Sequence, residues 1–263
     1  MMEQEVRGNT NYNWAFPHVQ GPIASIVEIG SRDGLDAITL GTTFQAPVTA
    51  FECDPAQYVA TVENVRASGL SDITVLPYAV SDKNEPITFW QVDTSTYNVP
   101  GTSSLFEVNF DNRQNSDVDS GRAGIQHAVT VEGARFDSLG IAAPTLLAMD
   151  VQGAEVLALK GFGTLLSRCK YIVTEAERVP SYKGGNSFKD LDRFVRAQGF
   201  RLVATSIGSG TRLARWRQFL SLNLRIAVSD RTLFPTRKYQ GCFDVLYVNS
   251  RLSGRDSSSS ADA

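Results

Sequence analysis

The chain reads as an α/β protein built on one mostly parallel sheet, and three observations predict it. The run Ile26-Val-Glu-Ile-Gly-Ser-Arg-Asp-Gly-Leu-Asp36, followed by Val48-Thr-Ala-Phe-Glu52, sets two short apolar segments on either side of a single crossover. Gly30 and Glu52 stand about twenty residues apart, the length of one β-α-β unit. Farther along, Thr145-Leu-Leu-Ala-Met-Asp150 and Tyr171-Ile-Val-Thr-Glu175 repeat the pattern of a buried strand ending in an acid. Seven strands are expected in the main sheet, the last of them antiparallel.

Residues 1–24 are polar, with Tyr12, Trp14, Phe16 and a break at Pro17. They form an N-terminal arm that either lies over the cofactor site as a lid or covers a sheet edge. The main domain spans 25–250. A strand is expected at 25–29, a helix at 34–44 and a second strand at 48–52. Pro55 suits a first helical turn and opens a helix to Ser68, ended by Gly69, with Val59, Val62 and Val65 on one face. A third strand follows at 73–78. The helix–strand alternation then fails. Ile87–Val92 and Ala128–Val131 read as strands in an inserted set of strands and loops over 85–132, beside the carboxyl edge of the sheet. Alternation resumes with the strand ending at Asp150, a turn and helix over 151–160, and a strand at 171–175. Ser187 caps a helix to about Gln198 that Gly199 ends. Strands at 200–205 and 243–248 complete the sheet.

A basic insertion at 208–240 carries Arg212, Arg215, Arg217, Arg225, Arg231, Arg237 and Lys238, with Leu213, Trp216 and Leu220 on one helical face. It reads as an arm drawing in an anionic substrate, as a segment 212–238 touching a membrane surface, or as a solvated helix. The polar tail 251–263 is expected to be disordered.

Composition narrows the function classes. A net charge of -3 over 263 residues argues against nucleic acid or another general polyanion as partner. Cys53, Cys169 and Cys242 are far apart, without C-x-x-C spacing, and read as reduced core residues. Met1–Arg7 lacks the basic and apolar regions of a signal peptide, and no apolar run reaches the length of a membrane span, so a cytoplasmic protein is expected. No cluster with metal-ligand spacing, no G-x-S-x-G elbow and no phosphate-binding P-loop occurs, and no metal is expected.

The first turn selects the cofactor. Gly30 permits a tight turn after the strand, but Arg32 stands where a dinucleotide fold needs its second glycine to approach a pyrophosphate. Glu28 and Asp33 add negative charge there, which repels phosphate and suits a sulfonium or ammonium. Glu52 ends the second strand, placed for a ribose diol. A ribose without phosphate and with positive charge describes S-adenosylmethionine. Asp150 ends a central strand and projects into the crevice where open α/β sheets bind ligands; it either holds cofactor or acceptor, or caps the next helix. Glu175 and Glu177 alternate along the next strand and face one way, a candidate for a base or a metal-binding pair with Asp150 nearby; one of the two is expected to be tied to an arginine, and Glu175 is preferred. His127 is a candidate neutral-pH base, ahead of His18.

Taken in order, Glu28-Ile-Gly-Ser-Arg-Asp-Gly34, Phe51-Glu-Cys-Asp-Pro55, Gly101-Thr-Ser-Ser-Leu105 and Met149-Asp-Val-Gln-Gly-Ala-Glu155 with Lys160-Gly161 resemble the FkbM family of S-adenosylmethionine-dependent methyltransferases. The resemblance spans roughly Ile23 to Val203. It implies a Rossmann-like, seven-stranded class I methyltransferase fold and methyl transfer, usually to a hydroxyl of a sugar, glycan or secondary metabolite. It implies that Glu28, Gly30 and Asp33 line the methionine part of the cofactor, that Glu52 takes the ribose, that Cys53 and Asp54 flank the adenine, and that Asp150 faces the methyl group. Ser31, Arg32 and Ala79 join the cofactor set, and Ser103, Ser104 and Glu177 are assigned to the acceptor. The sequence departs from the family where Ala148 replaces a frequent lysine and Gln152 a frequent glutamate. Two rival readings share these residues: a cofactor-binding module without catalysis, and an NAD- or nucleotide-sugar-dependent oxidoreductase.

Overall fold

The computed structural model describes residues 12–93, 101–109, 126–206 and 242–253. The basic segment 208–240 and nearly all of the tail lie outside the described residues. The main sheet has seven strands: β1 (Ile26–Ile29), β2 (Val48–Phe51), β3 (Ile73–Leu76), β7 (Leu146–Met149), β8 (Tyr171–Glu177), β9 (Phe200–Thr205) and β10 (Cys242–Asn249). Their spatial order is β3-β2-β1-β7-β8-β10-β9. The β1, β2, β3, β7 and β8 pairings are parallel, and β10 runs antiparallel to both β8 and β9. The order reverses between β1 and β7, which opens a crevice at the carboxyl ends of these two strands.

β1 and β7 are buried at every residue because helices and the N-terminal arm cover both faces of the sheet. On one face Val27, Ile29, Leu147 and Met149 meet Leu191 and Val195 of helix α4 (Phe188–Ala197) and the stacked rings of Phe136 and Phe162, whose centroids are 4.1 Å apart. On the other, Ile26, Val48, Leu146 and Leu246 meet Ala37 and Leu40 of helix α1 (Leu35–Phe44). Tyr12 and Ala15 of the arm join this second face, and Phe16 meets Phe44 edge-on at 5.1 Å. Gln20 exchanges two hydrogen bonds with the Tyr171 hydroxyl, each 3.0 Å. The described arm thus packs on a sheet face and on α1.

Helix α2 (Pro55–Ser68) has the expected bounds, but its face differs from the expected valine stripe. Val65 is buried as expected, but Val59 is 55% exposed, and Thr61 is buried in its place. Thr61 and Val65 pack on Gly34, and the Thr61 hydroxyl is 3.0 Å from the Arg32 carbonyl, so a polar residue fills an inward position at no hydrogen-bond cost. The inserted region forms a second sheet, with the order β4-β6-β5, from β4 (Ala79–Val80), β5 (Pro86–Val92) and β6 (Gln126–Ala134). β6 is longer than the expected strand at 128–131, and β4 was not expected at all. Helix α3 (Glu155–Gly161) starts after a turn at residues 151–154. The Ser187 capping box opens α4 as expected. No helix among the described residues is long and apolar enough to cross a membrane.

Candidate functional site

A cavity of about 610 Å³ lies over the carboxyl ends of β1, β2, β7 and β8, with β5 and residues 101–105 as its outer wall. Its lining includes Gly30, Ser31, Arg32, Asp33, Glu52, Cys53, Asp54, Ala79, Ser103, Ser104, Asp150 and Glu175. Glu28, His127 and Glu177 are not among the lining residues. Glu28 is fully buried within the sheet. Glu177 accepts the backbone N–H of Ser181 at 2.8 Å. His127 is exposed on β6, with Nε2 2.7 Å from Oε1 of Gln91, its partner across the β5–β6 pairing.

The loop after β1 is held by backbone. Gly30 takes a φ of 88°, and the N–H groups of Gly30 and Ser31 both donate to the Phe51 carbonyl, at 2.9 and 3.1 Å. Arg32 also has a positive φ, 55°, which turns its N–H onto Glu52 Oε2 at 2.6 Å. The other oxygen of Glu52 accepts the Asp54 N–H at 2.7 Å. Glu52 is therefore a brace between two loops, and it lines the cavity. Burial pushes its carboxyl up to about 7, against the pull of these N–H donors.

Asp54 caps α2 through the N–H groups of Ala56 and Gln57. Gln91 of β5 donates to both its oxygens, at 2.8 and 2.9 Å. This contact ties the second sheet to the start of α2, on the Glu52 side of the cavity. Ser103 and Ser104, assigned to the acceptor, line the cavity but use their hydroxyls on the chain itself. Ser103 Oγ accepts the Val92 N–H at 3.0 Å, and the Ser104 hydroxyl donates to the Gln152 carbonyl at 2.7 Å.

Asp150 does not cap α3. The cap position is Ala154, without a side-chain bond, and Asp150 Oδ1 instead accepts from Gln152 Nε2 at 2.6 Å. The same nitrogen donates to Glu175 Oε2 at 3.0 Å. Burial raises both carboxyls above the ordinary range; Gln152 opposes the rise at Asp150, and the Asp150 charge adds to it at Glu175. Gln152, Gln91 and Cys242, all on the cavity wall, were not proposed as site residues from sequence. Gln152 showed only as a departure from the family pattern. Cys242 is exposed at the start of β10, not a core residue as expected, and partial burial of its thiol beside Glu175 pushes it up to about 12.

The charge of the wall fits the expected cofactor. Asp33, Asp36, Glu52, Asp54, Asp150 and Glu175 face it, and Arg32 is the one cation among the described lining residues. Such a wall favours a sulfonium and an ammonium and opposes a pyrophosphate. Among the described residues no group of three or more His, Cys, Asp or Glu could hold a metal ion.

The strand order and this acid-lined crevice define a class I S-adenosylmethionine-dependent methyltransferase fold. The chain belongs to the FkbM methyltransferase family: the family model described as "Methyltransferase FkbM domain" matches residues 28–202. The cofactor of that family, S-adenosylmethionine, is the one the wall suits. No curated protein matches the sequence. Among solved structures, a methyltransferase FkbM from Methylobacillus flagellatus is 17% identical, with 73% of this chain and 43% of that one covered and a TM-score of 0.47. A SAM-dependent methyltransferase from Aquifex aeolicus is 12% identical over 91% of this chain and 89% of its own, with a TM-score of 0.46. TrmK of M. capricolum, solved with S-adenosyl-homocysteine, is 8% identical over 92% of this chain and 69% of its own, with a TM-score of 0.47.

Proposed function

We propose that the protein is an O-methyltransferase whose acceptor is a hydroxyl of a sugar, a glycan or a secondary metabolite. The observation that carries this reading is the paired placement of Asp150 and Glu175 in the crevice, next to the Gly30 loop. Glu52 holds the ribose diol, Cys53 and Asp54 border the adenine, and Gly30 to Asp33 border the amino-acid end. When bound, the cofactor supplies an electrophilic methyl group on a positively charged sulfur. The chain then has little covalent work to do. It aligns an acceptor oxygen behind that methyl, and alignment alone removes much of the barrier. A carboxylate of the pair holds the hydroxyl and takes its proton. The excess of acids on the wall suits a neutral acceptor and disfavours a phosphorylated one.

Calorimetry tests the cofactor. S-adenosylmethionine and its demethylated product bind, and NAD binds at least about tenfold more weakly, since no glycine follows Gly30 where a pyrophosphate would lie. Equal affinity for NAD would overturn the reading. Transfer of labelled methyl to a panel of neutral sugars, glycans and sugar phosphates then identifies the acceptor class.

A further inference from the structure

The side chain of Gln152 has a defined orientation. Its Oε1 is 2.6 Å from the Tyr182 hydroxyl, and its Nε2 faces Asp150 and Glu175 at 2.6 and 3.0 Å. The reverse orientation would set an amide oxygen against two carboxyls. An amide nitrogen carries two hydrogens, so it serves both acids at once. The backbone is fixed as tightly. Gln152 has a φ of 52°, a conformation that costs a residue with a β-carbon about 1 kcal/mol or more. Its carbonyl accepts from Ser104, and a β-carbon on the next residue, Gly153, would stand 3.2 Å from the Tyr182 ring. The chain thus keeps a strained residue pinned from three sides, and what it presents is one amide between two acids.

We propose that Gln152 is a positioning residue that joins Asp150 and Glu175 into a single bridged pair, which takes the proton of the acceptor hydroxyl as a unit. The proposal rests on the methyl-transfer reading above. As the acceptor oxygen bonds to the methyl carbon, the carbon–sulfur pair returns to sulfur and the hydroxyl proton passes to the pair, which ends as one more carboxylic acid. The shared amide favours the charged form of each acid, but burial and the charge of one on the other oppose ionisation of both, so one carries a proton while the other remains a base. The surroundings favour this division. Asp36, Glu155, Glu177 and Asp244 add negative charge, Arg32 adds the positive charge, and Tyr12 and the Cys242 thiol are neutral neighbours. A glutamate at position 152 would place a third acid where the bridging donor now lies.

The test needs no acceptor. Side-chain carboxyl carbons of the full chain are followed by ¹³C NMR against pH, with Asp150→Asn and Glu175→Gln used for assignment. The pair is expected to titrate in two steps more than about one pH unit apart, as interacting sites do. Gln152→Glu is expected to move the upper step to higher pH. Tyr182→Phe, which releases the amide but keeps the ring, moves it the same way by less, and it carries the test alone if Gln152→Glu fails to fold. Independent single steps for Asp150 and Glu175, or an upper step that stays in place in the variants, would overturn the proposal. Binding of S-adenosylhomocysteine to the unaltered chain is measured alongside. Its absence would defeat the methyltransferase reading while leaving the titration result to be judged separately.

Discussion

A β-carbon on Gly30 would stand 2.0 Å from the carbonyl oxygen of Asp150. The turn after β1 and the acid after β7 therefore meet through backbone, with no side chain between them. The Asp150 N–H completes the contact by donating to the Ile29 carbonyl at 3.0 Å. This junction lies beneath the crevice, and it sets how closely the Gly30 loop and the acid pair approach each other.

Gly30→Ala tests that junction. The new methyl meets the backbone carbonyl just after β7, which cannot swing aside as a flexible side chain would, and φ at this position is 88°. The expected loss is roughly 3 kcal/mol or more, from strain and overpacking together. Denaturant unfolding measures it. A loss below about 1 kcal/mol would show that the two loops separate readily.

Glu52→Ala and Glu52→Gln divide the two roles of that side chain. Alanine removes the acceptor for the Arg32 and Asp54 N–H groups, so it should lower stability as well as weaken S-adenosylhomocysteine binding, each by about 1–3 kcal/mol. Glutamine keeps one acceptor oxygen and should fold better than alanine while still losing affinity. Calorimetry and thermal melting of both variants check this. Full affinity in either would place the ribose elsewhere.

Much of this site was legible because its strands are buried on both faces. Short, mostly apolar runs ending in Gly30, Glu52 and Asp150 mark β1, β2 and β7 without any pairing information. What stayed hidden depends on register. His127 drew attention for its chemistry, yet the β5–β6 pairing sets it opposite Gln91 on an exposed strand, and Gln91 is the residue that reaches the cavity. Thr61 was passed over as polar because its acceptor, the Arg32 carbonyl, lies 29 residues away in sequence. Gln152 meets Glu175 only because β7 and β8 are neighbours, and it meets Tyr182 only through a loop contact; no local pattern encodes either.

Stability should fall as pH rises from about 5 to 8, the reverse of an ordinary paired carboxylate. Glu28, Glu52, Glu155 and Asp244 are all raised by burial, the last three to about 7, about 7 and about 6. The sign follows from proton uptake. The unfolded chain releases these protons near the usual value of 4.5 for Glu and 3.8 for Asp, while the folded chain keeps them to higher pH. Stability is full below the unfolded values, declines toward the folded ones and levels off above them. Glu28 sharpens the test. It is fully buried, and its partners across the sheet are Ala50 and Ala148, neither of which has a side chain offering a charge or a hydrogen bond. Glu28→Gln should therefore reduce the decline and melt above the unaltered chain at pH 8, with less gain at pH 5. Unfolding curves at both pH values decide it, and an unchanged slope would show that Glu28 ionises freely in the fold.

Asp150→Asn should separate stability from catalysis. Asp150 caps no helix, so folding does not need its charge. Asn can still offer Oδ1 to Gln152 Nε2, the bond that Asp150 makes at 2.6 Å. It also removes one negative charge from a position at which the charges of Asp36, Glu175 and Glu177 are felt. The carboxyl of Asp150 is raised by burial, so its ionisation disfavours the fold as pH rises, and the Asn variant should melt at least as high as the unaltered chain at pH 8. Turnover should move the opposite way, by about 10²-fold or more, the scale of lost general-base assistance. A site that sacrifices stability for chemistry shows this divergence. The measurements are thermal melting and turnover at saturating cofactor with the acceptor found in the panel. A variant that melts as high and retains turnover within about tenfold would remove the Asp150 charge from the reaction and leave Glu175 as the proton acceptor.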